Sequence, residues 1–457
     1  MATKYFGTDG IRGEANGSFL RPDMLVRLGQ AAGFVVGKKS AKPAHAGKPT
    51  VVIGKDTRLS GYMIESALQA GFTSVGFTCL QLGPLPTPAV AMLTRSLRAD
   101  LGVMITASHN PYQDNGIKMF TPNGIKLNGG FVEDIEELLD HPDRIPLVGP
   151  DHIGKAVRVE DAVGRYIEFV KTSLPPALRF DDLKIVIDCA NGAAYKIAPR
   201  IFWELGAQVV RLGCDPDGFN INAGVGATSP EALGKAVVAH NAHLGIALDG
   251  DADRLIMVDE KGDVLDGDLI IAAMAQYLKS QGKLQGGGVV ATVMTNMGMQ
   301  RFIEDMGLQL IRTPVGDHYV EAAMREGGYN LGGEQSGHLI FRDFATTGDG
   351  ILAALQMLAF LKERDSRVSS LRKLYTPWPQ QLENIRLPAT ANAAAVLEST
   401  SVQASIKTAE KALGAKGRVL VRKSGTEPLI RVMVEAETEA AMRQHLEAIS
   451  TAVRTEV

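Results

Sequence analysis

Apolar and polar positions along the 457-residue chain fall into a repeated pattern. Three runs open on Leu-Gly and end in a polar loop: Leu101-Gly-Val-Met-Ile105 before Thr106-Ala-Ser-His-Asn-Pro111, Leu244-Gly-Ile-Ala-Leu248 before Asp249-Gly-Asp-Ala-Asp-Arg254, and Leu331-Gly-Gly333 before Glu334-Gln-Ser-Gly-His338. Short apolar runs closed by turn residues predict buried strands. Two more strand-like runs precede each of them: Val51-Val-Ile-Gly-Lys-Asp56 and Gly76-Phe-Thr-Cys-Leu-Gln-Leu82, Ile185-Val-Ile-Asp188 and Gln208-Val-Val-Arg-Leu212, Val289-Val-Ala-Thr-Val293 and Leu308-Gln-Leu-Ile-Arg312. Helix-like stretches at 61–71, 193–205 and 297–306 separate the members, the spacing of parallel crossover units. The fold class is therefore α/β, with three similar α/β domains built on mixed β-α-β sheets. After Tyr375-Thr-Pro-Trp-Pro379 the pattern changes to alternating strands, Gly417-Arg-Val-Leu-Val-Arg422 and Leu429-Ile-Arg-Val-Met-Val-Glu435, which predicts a smaller C-terminal α+β domain. Completion of the third strand in each unit sets expected limits at 1–155, 156–255, 256–367 and 368–457.

Hydrophobic residues make up 45% of the chain, enough for ordinary globular cores. With 48 basic against 51 acidic residues, a net charge of −3 and no long Lys/Arg cluster, a nucleic-acid partner is not expected. No stretch approaches the roughly 20 apolar residues of a membrane span, and the N-terminus lacks an apolar signal region, so the expected location is the cytoplasm, with no membrane partner. Cys79, Cys189 and Cys214 lie in or beside apolar runs without metal-ligand spacing and read as buried, reduced thiols.

The candidate chemistry sits in the loops that end the strands, where open α/β sheets carry their sites. Ser108 has no G-x-S-x-G elbow around it, which points away from acyl transfer and toward phosphoryl chemistry. The plainer reading of Ser108 alone is a loop serine capping a turn. Asp249, Asp251 and Asp253 alternate along extended backbone, so three hard oxygen ligands can converge on one cation, with magnesium favoured over calcium or manganese. An acidic turn is the alternative. A phosphorylated Ser108 would carry about −1.5 to −2 charge, and a divalent cation would relieve its repulsion from the three aspartates. Arg254 can hold an anion beside that cation, and His109 can orient phosphate or make a turn hydrogen bond.

Glu334 and Ser336, in a glycine-flanked turn, suit recognition of sugar hydroxyls; His338 is either part of that site or a packed strand residue. Ser424, Gly425 and Thr426, bracketed by Arg422 and Arg431, form a candidate phosphate cradle. Arg12 and Arg58 lie in glycine-bounded loops, weak signals by themselves. Asn115-Gly116 and Asn123-Gly124 predict a hairpin through Asn-Gly turns that brings Lys118 near Ser108, where a lysine of lowered pKa can shuttle protons.

Taken together, these residues resemble the α-D-phosphohexomutase superfamily over nearly the whole chain. The resemblance rests on the serine loop at 106–111, the metal loop at 249–254, the sugar loop at 333–338 and the phosphate loop at 422–428. Phe6-Gly-Thr-Asp-Gly-Ile-Arg-Gly13 and Gly54-Lys-Asp-Thr-Arg58 are similar to the bacterial phosphoglucosamine mutase group more than to phosphomannomutase/phosphoglucomutase, which stands as the alternative. The resemblance implies four domains around a central cleft, with phosphoserine at Ser108 and one Mg2+ per chain held by Ser108, Asp249, Asp251 and Asp253. It also implies a catalytic set of Ser108, Lys118, His338, His109 and Arg12, and substrate contacts from Arg254, Glu334, Ser336, Arg422, Ser424, Gly425, Thr426 and Arg431. The implied partner is a small phosphosugar, glucosamine 6-phosphate turned into glucosamine 1-phosphate, with glucosamine or glucose 1,6-bisphosphate as intermediate or activator. The product would feed UDP-N-acetylglucosamine and the bacterial envelope, and the implied assembly is a homodimer. One departure is Gly316-Asp-His318, where the group pattern is Gly-Asp-Arg; it puts in doubt how that loop meets substrate.

Overall fold

The computed structural model describes residues 4–7, 9–39, 47–388, 392–423 and 429–457. They divide into two compact units, one of Met1–Met294 with Leu308–Arg372 and a smaller one of Thr295–Gly307 with Lys373–Val457.

Three sheets build the larger unit. The first contains β1 (Ile11–Glu14), β2 (Thr50–Lys55), β3 (Thr78–Pro84), β4 (Leu101–Ile105), β5 (Asp114–Phe120) and β6 (Ala156–Arg158), in the order β1-β5-β4-β2-β3-β6, with helices α1 (Pro22–Lys39), α2 (Ser60–Ser74), α3 (Thr87–Ser96) and α4 (Gly130–Asp140). The second contains β7 (Lys184–Asp188), β8 (Gln208–Leu212), β9 (Leu244–Leu248), β10 (Leu255–Val258) and β11 (Val264–Leu265), ordered β11-β10-β9-β7-β8, with α5 (Ala162–Lys171), α6 (Ile197–Glu204) and α7 (Glu231–Ala239). The third contains β12 (Gly288–Thr292), β13 (Gln309–Thr313), β14 (Leu331–Gly333) and β15 (Leu339–Phe341), ordered β13-β12-β14-β15. Its helices are α8 (Gly267–Ser280), α9 (Met297–Asp305), α10 (Asp317–Gly327) and α11 (Gly350–Glu363), of which α9 falls in the smaller unit.

The three sheets repeat one arrangement. In each, a central parallel strand (β2, β7 or β12) has its next strand on one side and the Leu-Gly strand (β4, β9 or β14) on the other. The chain thus reverses direction across the sheet beside the ends of β4, β9 and β14, and the crevice at such a reversal is where doubly wound sheets bind ligands. β4 and β9 are buried at every position because helices cover both faces, which is why they read as unbroken apolar runs. Each Leu-Gly strand then pairs with an antiparallel return strand, β5, β10 or β15.

The first sheet runs on to Arg158 and the second to Leu265, past the limits expected at 155 and 255, because β6 pairs with β3 while β10 and β11 fold back on β9. The reading of Asn115-Gly116 as a turn is corrected. Both residues lie within β5, between β1 and β4, and only the 121–125 segment turns the chain. Gly116 is required there by space: a Cβ would stand 2.6 Å from the Thr106 carbonyl oxygen and 2.7 Å from that of Ile11.

The smaller unit is a three-stranded antiparallel sheet, β16 (Gln380–Arg386), β17 (Gly417–Lys423) and β18 (Leu429–Ala436), in the order β16-β18-β17. Helices α12 (Ala393–Glu398), α13 (Thr400–Leu413) and α14 (Glu439–Thr455) accompany it, the last two closing an apolar core of Val402, Leu413, Ile430, Val432, Val434 and Ile449. Asn392, Ser399 and Thr438 cap these helices through side-chain oxygens, as their types favour.

Candidate active site

The serine loop is held before any ligand arrives. Ser108 is 1% exposed, and its N–H donates to Thr106 Oγ1 at 2.9 Å. Its carbonyl oxygen accepts from Arg58 Nη2 at 3.2 Å and Asn222 Nδ2 at 2.9 Å, and the Asn110 carbonyl accepts from the same two side chains. Arg58 is fully buried against Asp56 at the end of β2, the strand next to β4. The sequence marked Arg58 only as a weak loop signal and did not mark Asn222 at all. No local pattern reveals either, since their role comes from packing between the first two sheets.

Ser108 Oγ donates to Asp249 Oδ2 at 2.6 Å, and His109 Nδ1 lies 3.4 Å from the same hydroxyl. Asp249, Asp251 and Asp253 are buried, and one carboxylate oxygen of each lies within 4.8 Å of the others. The paired serine and aspartate loops expected from the sequence are thus in contact. Burial and the two neighbouring carboxylates lift the Asp249 pKa to about 8, against the pull of Arg254 and Ser108. Asp251 Oδ1 and Asp253 Oδ1 have no hydrogen-bond partner although both are buried. Buried carboxylate oxygens left bare are unfavourable by roughly 1–3 kcal/mol or more each, and a small hard cation is the partner that fits both, with Asp249 beside them. The triad is a site that can hold a divalent cation.

Lys118 sits opposite Met104 in the β4–β5 pairing and extends its ammonium to Asp251 at 2.9 Å and Asp253 at 3.1 Å, with Asp9 at 3.4 Å. It meets the serine through the aspartates. The lowered pKa expected of Lys118 is corrected: burial works against its charge, but the three carboxylates outweigh burial and raise the pKa well above its ordinary value. Lys126 bridges Asp9 and Asp317, and Arg12 pairs with Asp9. Asp9 lies in the Phe6–Gly13 motif, Lys126 beside the Asn123-Gly124 turn and Asp317 in the Gly316-Asp-His318 turn, but sequence reasoning gave none of the three a role in the site. Asp9, Lys118, Lys126, Asp317, His318 and His338 share the wall of one cavity of about 230 Å³.

His338 opens the return strand of the third sheet, and its backbone bridges to Arg254. The Gly348 N–H donates to His338 Nε2 at 3.2 Å, which places the neutral ring's hydrogen on Nδ1, 3.7 Å from Asp253 Oδ1. Burial disfavours charge on this ring, but Asp253, Asp317 and Glu334 raise its pKa above the ordinary value. His109 goes the other way: burial, Arg254 and Arg12 push its pKa down to about 4. Glu334 is half-buried and accepts from Gly316 N–H at 3.2 Å, tying the sugar loop to the Gly316-Asp-His318 turn, while Ser336 is exposed. The His318 ring lies against Tyr319, with centroids 3.9 Å apart.

In the smaller unit Arg422 on β17 stands directly opposite Arg431 on β18. Burial and the Arg431 charge lower the Arg422 pKa. Like charges at opposed positions destabilise a strand pair, and a bound anion would reverse that sign. Ser424, Gly425 and Thr426 lie outside the described residues.

Among the described residues, nine that are not glycine have φ in the left-handed region, and five of them (Ser108, Ala190, Asn191, Asn222 and Ala252) stand in the loops that meet at Ser108 and the aspartates. No described helix is long and apolar enough to cross a membrane.

Four phosphoglucomutase/phosphomannomutase models match in chain order: α/β/α domain I over residues 3–145, domain II over 164–262, domain III over 266–378 and the C-terminal domain over 382–452. The chain belongs to the phosphoglucomutase/phosphomannomutase family. Among curated relatives, a phosphoglucosamine mutase of Paramagnetospirillum magneticum is 53% identical over 454 residues, covering 99% of each chain. Another phosphoglucosamine mutase, from Gluconacetobacter diazotrophicus, is 55% identical over 439 residues, covering 96% of this chain and 95% of the relative. The crystal structure of a phosphoglucomutase/phosphomannomutase family protein from Burkholderia thailandensis shares the fold with a TM-score of 0.82 at 24% identity, over 99% of this chain and 97% of that one.

Proposed function

We propose that this chain is an isomerase that interconverts glucosamine 6-phosphate and glucosamine 1-phosphate through a phosphorylated Ser108. The observation that carries the proposal is Ser108 Oγ at 2.6 Å from Asp249, in a buried triad with two bare carboxylate oxygens, on a chain 53–55% identical over nearly its full length to phosphoglucosamine mutases. Phosphoryl transfer from phospho-Ser108 breaks the P–Oγ bond and forms a bond to the sugar 1-hydroxyl, whose proton passes to the protein. The resulting glucosamine 1,6-bisphosphate turns over and returns its 6-phosphoryl group to Ser108, and the leaving 6-oxygen takes a proton back. Such transfers need positioning and charge neutralisation more than covalent help. A magnesium ion held by Asp249, Asp251, Asp253 and the Ser108 oxygen would supply part of that neutralisation.

The chain's own cations supply the rest. Arg254, whose N–H donates to Asp249 Oδ1 at 3.2 Å, stands beside the triad. Lys118, held charged by three carboxylates, serves as the proton donor, and His338 as the acceptor. His109 steadies Oγ, and Arg12 balances Asp9 within reach of His109. Glu334 and Ser336 take the sugar hydroxyls. Arg422 and Arg431, with Ser424, Gly425 and Thr426 between them, take the phosphate that is not reacting. We also propose a cytoplasmic homodimer, with glucosamine or glucose 1,6-bisphosphate as activator.

The test is magnesium-dependent turnover of glucosamine 6-phosphate, primed with a trace of hexose 1,6-bisphosphate, beside glucose and mannose phosphates. Preference for the amino sugar is expected. Preference for the neutral hexoses would instead make the chain a phosphomannomutase/phosphoglucomutase, and steady release of inorganic phosphate would make it a phosphatase.

A further inference from the structure

Two of the three cysteines lie together beneath the site. Cys189 follows β7 and Cys214 follows β8, adjacent parallel strands in register at Asp188 and Leu212. The Cys189 N–H donates to the Leu212 carbonyl at 3.1 Å, the same carbonyl that accepts from the Cys214 thiol at 3.2 Å, while the Cys189 thiol donates to the Ala194 carbonyl at 3.7 Å, and the two thiols are near enough to shift each other's titration. Cys189 is fully buried; Cys214 is 4% exposed and immediately precedes the exposed 215–220 loop. Cys79 is buried in the first sheet, away from both.

What surrounds this pair leads to the serine. The Ala190 carbonyl accepts from Asn222 N–H at 2.9 Å, and the Asn222 side chain holds the Ser108 and Asn110 carbonyls. The Ala193 N–H donates to the Gly250 carbonyl at 2.8 Å, inside the aspartate loop. Gly192 packs so tightly on Gly250 that a Cβ would meet its carbonyl oxygen at 2.3 Å. The 215–220 loop presses Phe219 against Tyr112 and accepts the Leu59 N–H at the Gly218 carbonyl. Residues 189–193 and 214–222 are thus the backing of both catalytic loops.

We propose that Cys189 and Cys214 close into a reversible disulfide, formed by a peroxide, that switches the activity off by moving this backing. The Cys214 sulfur attacks one peroxide oxygen, the O–O bond breaks, and a sulfenic acid and one molecule of water result. The Cys189 sulfur then attacks that sulfenic sulfur, its S–H proton leaves with the hydroxyl as a second water, and the S–S bond forms. Two thiols are oxidised and one peroxide is reduced. The neighbouring Cys189 thiol, together with Arg211, holds the Cys214 thiol below its ordinary pKa despite burial, while burial holds Cys189 well above, which makes Cys214 the attacking sulfur and Cys189 the resolving one. Closing the bond brings the two sulfurs to about 2.05 Å. The shift falls on Ala190 and Asn191, which already hold left-handed backbone and have no slack to absorb it.

The test treats the full-length, magnesium-loaded enzyme with hydrogen peroxide, digests it without reduction and maps the peptides by mass spectrometry, with turnover followed in parallel. A linked Cys189–Cys214 peptide is expected, with turnover falling roughly 10- to 100-fold, the scale of a displacement of order 1 Å at a reacting centre, and recovering on adding dithiothreitol. Cys214→Ser and Cys189→Ser should each lose the linked peptide and keep their turnover under peroxide, while Cys79→Ser should stay sensitive. The absence of a linked peptide, a linked peptide with unchanged turnover, or peroxide sensitivity in both serine variants equal to that of the unsubstituted chain would overturn the proposal. The peptide map needs only the unsubstituted protein and no substrate, so it holds even if a variant fails to fold or the sugar assigned above is wrong.

Discussion

The 249–254 and 333–338 loops occupy the same place in their sheets, each after a Leu-Gly strand and before an antiparallel return strand, yet they are built in opposite ways. The aspartate loop is buried and pinned by Lys118, Thr87, Arg254 and Ser108. The Glu334 loop leaves Ser336 exposed and Glu334 half-buried, with one backbone donor on its carboxylate. The fold supplies a location, and burial then sorts the groups placed there: the three carboxylates are locked inside, while Ser336 and part of Glu334 stay at the surface, where the proposed function has them read a changing ligand. A sugar that presents first one end and then the other needs that second kind of contact.

Four substitutions test this contrast, in decreasing order of effect. Ser108→Ala should lower turnover by at least about 10³-fold with thermal unfolding nearly unchanged, since the acceptor oxygen itself is gone. A folded variant with near-normal turnover would remove phospho-Ser108 from the mechanism. Asp251→Asn should lower kcat by on the order of 10²-fold, several kcal/mol of charge stabilisation, and raise the magnesium concentration needed for half activity. A magnesium titration identical to that of the unsubstituted chain would exclude Asp251 as a ligand. Glu334→Gln should lower kcat/KM roughly 10- to 100-fold, the worth of hydrogen bonds to a charged group, leaving the magnesium titration unchanged. A shifted titration would join the two loops into one function. Ser336→Ala should raise KM about 2- to 10-fold without changing the melting temperature, because an exposed hydroxyl contributes about 0.5–1.5 kcal/mol to ligand and nothing to the core.

Those loops were legible in the sequence because β4 and β9 are covered on both faces and so read as apolar runs with sharp polar ends. The serine and aspartate loops were also legible as partners, since a phosphorylated serine and three carboxylates need a cation in common. Tertiary placement was not. Asn115-Gly116 carries a strong local turn signal, and the space between β1 and β4 overrides it. Lys118 reads from its hairpin as a proton shuttle of lowered pKa, and the three carboxylates that tertiary packing brings around it reverse the direction. Besides near neighbours such as Arg12 for Asp9 and Asp56 for Arg58, the residues Arg58, Asn222, Asp9, Lys126 and Asp317 reach partners 50 to 191 residues away in sequence, distances over which no spacing rule operates.

The left-handed backbone gathered around Ser108 gives this enzyme little room for improvement by design. A residue other than glycine in that conformation is disfavoured by about 1–2 kcal/mol, less for asparagine, and a domain's whole margin of stability is only ~5–15 kcal/mol. Glycine at Ala190 or Ala252 would relieve strain and return a measurable part of that margin. It would also loosen the loops that fix the serine carbonyl and the carboxylates. Variants selected for heat resistance should therefore gather their changes in the helices and the outer strands and leave these two alanines alone, whereas variants selected for a new sugar should appear first around Glu334 and Ser336, where the backbone carries no comparable strain.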